Sequence, residues 1–254
     1  MLKTFGLRGR EVAITVYGPR GTRALLEALG VVVGRVAYPL EVVELGPDES
    51  VALGDYRIET FAVAHRTTAV GYALREDERP GRFDVSAADA LGVASGPLRG
   101  ALQRGEGVTL QDGRVVRPAD VLGAPRRGRT VVITGDTAPA ASVVEAAAGA
   151  DVLVHEATFL ADERARAKET GHSTAAEAAL VAREADVGLL ALTHLSARYP
   201  PSDVAAEARQ LFSRTVVPRD FDLLLVPLPE RGEPQLVGRG ARRGRVTEDV
   251  GSGA

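Results

Sequence analysis

The sequence has 254 residues, 45% of them hydrophobic and 26% charged, a balance that suits one large or two small globular domains and excludes a disordered or fibrous chain. With 31 basic against 34 acidic side chains the net charge is −3, so a nucleic acid would have to be met by a local patch. Cysteine is absent, which excludes disulfides, thiolate metal sites and thiol nucleophiles.

In chain order, apolar alternation and periodicity predict a strand at Val12–Tyr17, a helix at Thr22–Leu29, and strands at Glu41–Glu44, Arg57–Ala64 and Ala69–Leu74. From Arg75 to Arg129 the pattern breaks into glycines, prolines and charges without a clear core pattern, as in a functional or mobile excursion. Its part from Pro97 to Arg129 carries seven arginines against three acids, an excess that a solvated surface segment would also show. Strands at Thr130–Thr134, Asp151–His155, Leu189–Thr193 and Leu223–Leu228 then alternate with helices at Ala138–Ala148, Thr174–Ala185 and Ser202–Ser213. The second of these helices opens on a capping box, Thr174 to Glu177. The segment from Arg239 to Ala254 is expected to be disordered. No run approaches about 20 apolar residues and the first residues lack a signal-peptide core, so the expectation is a cytoplasmic protein without a membrane partner.

Only four histidines occur, and three of them close apolar runs: His65 after FAVA, His155 after DVLV and His194 after LLALT. Asp136 follows VVITG in the same manner. In a layered sheet the ends of neighbouring strands gather along one edge, so these groups can converge with His172 from far apart in the chain. One histidine at a strand end is ordinarily a hydrogen-bonded structural residue. Several in that setting, together with a carboxylate, form the donor set of zinc or manganese hydrolases. A carboxylate bridging two ions about 3.5–4 Å apart suits in-line displacement at a phosphodiester.

Ile133-Thr-Gly-Asp136-Thr137, Val154-His155-Glu156-Ala157-Thr158, Gly171-His172-Ser173-Thr174-Ala175 and Leu192-Thr193-His194-Leu-Ser196-Ala-Arg198-Tyr199, in this order, closely resemble the ribonuclease Z family. The likeness extends to the Phe61–Gly71 strand pair, to Gly96-Pro97 and to Thr15–Leu29. It implies an α+β metallo-β-lactamase αββα sandwich over residues 1–230, with a protruding flexible arm at about 76–128, and residues 231–254 as a C-terminal strand end and tail. It implies a zinc-dependent endoribonuclease, with two zinc ions per subunit in complete relatives and manganese as the alternative, that removes the 3′ trailer from precursor tRNA. The partners implied are precursor tRNA and a second subunit in a homodimer, not DNA. By the same resemblance His65 binds the first metal, His194 the second, and Asp136 bridges them. His172 stands at the scissile phosphate as a hydrogen-bond or proton donor, and Glu156 orients an imidazole beside it. Gly96, Pro97, Arg99 and Arg104 fall on the arm, where arginines would bind tRNA phosphates. Ser196 and Arg198 would bind a phosphate oxygen or order their own loop. His155 is expected to be structural.

The family's HxHxDH motif is not in these 254 residues. The chain therefore reads as N-terminally truncated, either by a misassigned start or incomplete gene or as a genuine shortened paralogue that binds RNA without chemistry. With three of the usual seven ligand positions, and without the motif's aspartate as general base, the expectation is weak metal binding, exposed apolar surface, low stability and little nuclease activity. A metallo-β-lactamase-fold phosphodiesterase acting on small esters is the remaining alternative.

Overall fold

The computed structural model describes residues 1–239, and most of the expected disordered tail, 240–254, lies outside them. The chain divides into two compact units, one formed by Met1–Arg75 with the residues from Arg129 onward, the other by Glu76–Gly128.

The larger unit opens with α1 (Leu2–Leu7), β1 (Ile14–Gly18), α2 (Thr22–Val33) and β2 (Leu40–Glu44), followed by β3 (Ser50–Ala52), β4 (Tyr56–Ala62) and β5 (Val70–Glu76). The second unit carries α3 (Val85–Ala90), α4 (Pro97–Gln103), β6 (Val108–Thr109) and β7 (Val115–Val116). The chain then returns to the larger unit as β8 (Thr130–Ile133), α5 (Ala141–Ala147), β9 (Val152–Glu156), α6 (Arg164–Thr170), α7 (Ala175–Glu184), β10 (Leu189–Thr193), α8 (Pro201–Arg209), β11 (Thr215–Val216), β12 (Leu223–Leu225) and β13 (Gln235–Val237).

Seven strands form one mixed sheet in the order β11-β10-β9-β8-β5-β4-β3, in which β8, β9, β10 and β11 run parallel and β5 pairs antiparallel with β8. Two small sheets accompany it, parallel β1–β2 and antiparallel β12–β13. The Tyr72 hydroxyl donates to the carbonyl of Tyr17 at 3.2 Å and Arg129 donates to that of Val226 at 3.0 Å, which tie these smaller sheets to the large one. The unit is an α+β sandwich.

The parallel half of the sheet is held by a face of small residues. Ala175, Ala178, Ala179 and Ala182 recur at helical spacing on α7, all fully buried, and let the helix lie close on Leu153, Leu190 and Leu192. The helix begins where the sequence signals it: Thr174 Oγ1 accepts from the Glu177 amide and Glu177 Oε2 accepts from the Thr174 amide, each at 3.1 Å. On the antiparallel side, a Cβ on Gly71 would lie 2.2 Å from the Phe61 ring, so only glycine lets that ring cover β5.

Several expectations need correction. The helix expected from Ala138 starts at Ala141, because Ala138 pairs with Ala64 in an isolated bridge and Pro139 follows. The strand expected at Leu223–Leu228 stops at Leu225. Helices α1 and α6 carry too weak an apolar period to be predicted. The segment read as lacking a core has one of its own, formed by Ala88, Val93, Leu102, Val108, Val116 and Val121. Its elements are two to seven residues long and each helix or strand contributes one of these side chains, too few for a period. Near the N-terminus Leu7, Val12, Leu25, Val31 and Val32 are exposed, an unusual cluster of large apolar side chains on a surface.

Candidate metal centre

The candidate groups reach one rim because His65, Asp136, Glu156 and His194 each lie at or just after the end of a strand of the same sheet, which His172 joins from the turn between α6 and α7. The segment after β4 is held to the segment after β8 by two hydrogen bonds: the Ala64 amide donates to Thr137 Oγ1 at 3.0 Å and the Ala138 amide to the Ala64 carbonyl at 2.8 Å. This sets His65 beside Asp136. Glu156 ends β9, His194 directly follows β10, and His172 lies just ahead of the α7 N-cap.

The three rim imidazoles are oriented through the same atom. His65 Nδ1 donates to the carbonyl of Gly171 at 2.9 Å, His172 Nδ1 donates to Glu156 Oε1 at 2.7 Å, and His194 Nδ1 lies 2.7 Å from Thr158 Oγ1. His65 and His172 thus keep Nε2 as the free nitrogen, as a metal-ligating imidazole does, and His194 Nε2 lies 3.5 Å from Asp136 Oδ1. Gly171, with φ of 75°, ends α6 in the left-handed region, and a Cβ there would lie 3.2 Å from Arg66 Cγ and 3.5 Å from His65 Nδ1. The His172 ring lies parallel to that of His194, centroids 5.3 Å apart, and meets that of His65 edge-on at 5.1 Å.

Glu156 is fully buried and its carboxylate is saturated. Oε1 accepts from His172 and from the Thr137 amide at 2.9 Å; Oε2 accepts from Thr158 Oγ1 at 2.7 Å and from the Thr158 amide at 3.2 Å. Asp136 is the accessible carboxylate, with Oδ1 3.5 Å from His194 Nε2.

His65, Asp136 and His172 each offer a ligand atom within 4.8 Å of one another, and so do Glu156, His172 and His194. The donor set of neutral imidazole nitrogens and one exposed carboxylate fits a divalent cation such as zinc or manganese. His65, Asp136 and His194, expected as ligands, and His172, expected at the phosphate, do meet. His172 lies as close to the first group as a ligand would.

The other expected residues are placed differently. Ser196 Oγ accepts from Arg198 Nε at 3.2 Å, while Arg198 Nη2 pairs with Glu163 at 3.3 Å and its guanidinium lies over Phe159, so the two order their own loop. In the second unit, Gly96 has φ of 106° and caps α4 ahead of Pro97. Of the two arginines expected at the substrate, Arg99 donates to the Val93 carbonyl and to Asp89, and Arg104 pairs with Glu106. Thr158 was not among the expected residues, although the motif that includes Glu156 ends on it. Nor was the φ of 55° at His194, a left-handed conformation that costs energy in a non-glycine residue and concentrates at functional positions.

His155 points elsewhere. It is fully buried, its Nδ1 donates to the Glu156 carbonyl at 2.7 Å, and its Nε2 has no hydrogen-bond partner. Burial pushes its pKa below the ordinary imidazole value of 6.5. The unfolded chain therefore binds a proton here that the folded chain resists. Stability should fall as pH drops below about 6.5, by roughly 1 kcal/mol per pH unit from this group. His155→Asn keeps a donor for the Glu156 carbonyl, and urea unfolding between neutral and acidic pH should be less pH-dependent in that variant than in the parent.

No family profile matches the chain. The chain is 50% identical over 233 residues to ribonuclease Z of Myxococcus xanthus, covering 91% of this chain and 76% of that protein. The chain belongs to the ribonuclease Z family. Ribonuclease Z of Haloferax volcanii is 47% identical over 232 residues, covering 89% of this chain and 73% of that protein. The chain spans about three quarters of the length of these relatives. Among solved structures, human tRNase Z, short form, superposes with a TM-score of 0.56 at 21% identity over 89% of this chain and 72% of that one. The metallo-beta-lactamase fold protein YhfI of Bacillus subtilis gives 0.52 at 20% over 82% and 63%. The sandwich of this ribonuclease Z family member is thus the metallo-β-lactamase fold. Among the described residues no helix is long and apolar enough to cross a membrane.

Proposed function

We propose that this ribonuclease Z family chain is a metal-dependent endoribonuclease that removes the 3′ trailer from precursor tRNA. The observation that carries the reading is the meeting of His65, Asp136, His172 and His194, with each imidazole held through Nδ1. His65, His194 and Asp136 would hold the divalent cation, zinc or manganese. The chemistry a divalent cation supplies when bound is positive charge at a phosphoryl oxygen and a water acidic enough to attack at neutral pH.

The chain's own residues do the rest. In its doubly protonated form His172 gives the Nε2 proton to the departing oxygen and is left as the neutral ring, whose Nδ1–H stays with Glu156. Glu156, sealed from solvent by four hydrogen bonds, keeps that ring in one orientation without competing for the substrate. Arginines of the unit Glu76–Gly128 bind the tRNA backbone away from the cut. Within that unit the Arg99 guanidinium is held by the Val93 carbonyl and Asp89. The active form is a homodimer that acts in the cytoplasm on RNA and not on DNA.

The test compares precursor tRNA with a small chromogenic phosphodiester, using the polypeptide alone and joined behind an HxHxDH segment, with manganese or zinc present. Trailer release that a chelator stops is the expected result, and deleting residues 82–120 should abolish it while sparing the small ester. A folded, metal-loaded protein that hydrolyses the small ester and leaves precursor tRNA intact would overturn the reading in favour of a small-ester phosphodiesterase.

A further inference from the structure

We propose that Thr158 is a positioning residue that sets the tautomer of His194, extending the hold of buried Glu156 to a second imidazole of the site. The Thr158 hydroxyl oxygen lies 2.7 Å from Glu156 Oε2, 2.7 Å from His194 Nδ1, 3.2 Å from the His194 carbonyl and 3.4 Å from His172 Nδ1. A hydroxyl has one proton to give and two lone pairs to accept with. An ionised carboxylate can only accept, and among the described residues the other donor to this Oε2 is the Thr158 amide at 3.2 Å. The hydroxyl proton goes to Glu156, because a bond to a carboxylate is stronger than one to the ring nitrogen at the same 2.7 Å or to the more distant His194 carbonyl. Thr158 Oγ1 then has lone pairs alone to offer His194 Nδ1, so Nδ1 carries the hydrogen and Nε2 carries the lone pair. That lone pair faces Asp136 Oδ1 at 3.5 Å, two acceptors opposed across a gap that a cation would reconcile.

His172 does not depend on Thr158 in this way, because Glu156 Oε1 takes its Nδ1–H directly at 2.7 Å. One buried carboxylate thus fixes two parallel rings, one by contact and one through a hydroxyl. The tautomer assignment rests on hydrogen-bond geometry; only its consequence for metal and RNA rests on the function proposed above.

The experiment measures the ring nitrogen shifts of 15N-histidine in metal-free protein at about pH 8, above the ordinary imidazole pKa. Variants Thr158→Val, which keeps shape and loses the hydroxyl, and Thr158→Ser, which keeps the hydroxyl, are compared with the parent. The parent should show His194 protonated on Nδ1. In Thr158→Val the Nε2–H form of His194 should become populated while His172 keeps its Nδ1–H, and Thr158→Ser should restore the parental signal. Zinc affinity should fall about tenfold to a hundredfold in Thr158→Val and recover in Thr158→Ser. An Nε2–H tautomer at His194 in the parent, or an unchanged Nδ1–H tautomer in folded Thr158→Val, overturns the proposal. Should Thr158→Val fail to fold, the parental tautomer decides. A tautomer that follows Thr158 in a protein that leaves precursor tRNA uncut would sustain this proposal and sink the functional reading.

Discussion

Glu156→Gln is expected to cost both stability and cleavage more than any other isosteric change in the protein. Both carboxylate oxygens accept two hydrogen bonds inside a fully buried site. An amide presents two donors on one side, where either the Thr137 amide and His172, or the Thr158 amide and hydroxyl, already donate. Each donor left without an acceptor costs about 1–3 kcal/mol, so urea unfolding should show a loss of about 2–5 kcal/mol. Where the amide nitrogen takes the place of Oε1, His172 loses its Nδ1 acceptor, and where it takes the place of Oε2 the Thr158 link to His194 is broken, so single-turnover cleavage should fall about a hundredfold or more. Parental stability in Glu156→Gln would mean that the buried network does not hold the site.

His172→Asn separates the two roles open to that side chain. As the donor to the departing oxygen its removal should lower the cleavage rate about a hundred- to ten-thousandfold and leave metal affinity near that of the parent. The loss should shrink for a substrate whose leaving group needs no proton, such as a phosphodiester of an acidic phenol. If His172 instead holds the cation, as its place within 4.8 Å of His65 and Asp136 permits, metal affinity falls with the rate and the leaving group makes no difference. Measuring rate and metal affinity on the same variant settles the assignment.

How much of this was legible in the sequence depends on how each feature is encoded. The convergence of His65, Asp136 and His194 could be read because strand ends are marked locally by an apolar run that stops, and a layered sheet brings such ends to one edge. The α7 capping box was equally local. Glu156 was read as the support of an imidazole, but which imidazole depends on the bend of the chain between β9 and α7, which carries no periodic signal. Thr158 escaped for the same reason: its role arises from the 36 residues separating it from His194, closed up by parallel pairing of β9 with β10. Arg99 shows the limit of counting charge. Seven arginines in a segment do not tell a phosphate-binding surface from a solvated one, and nothing in that count foretells that this one is held by Asp89, ten residues earlier, and by the Val93 carbonyl. That core stayed hidden because it is assembled from single residues of very short elements.

The account stands on Asp136 and the rim imidazoles forming one cation-binding centre, and its most direct measurement is a zinc titration of metal-free protein followed by the ring nitrogens of its four histidines. Nε2 of His65 and His194 should shift together as zinc is added, His155 Nε2 should stay as it was, and Asp136→Asn should abolish the paired shift without unfolding the chain. Independent shifts of His65 and His194, or a paired shift that survives Asp136→Asn, would contradict it.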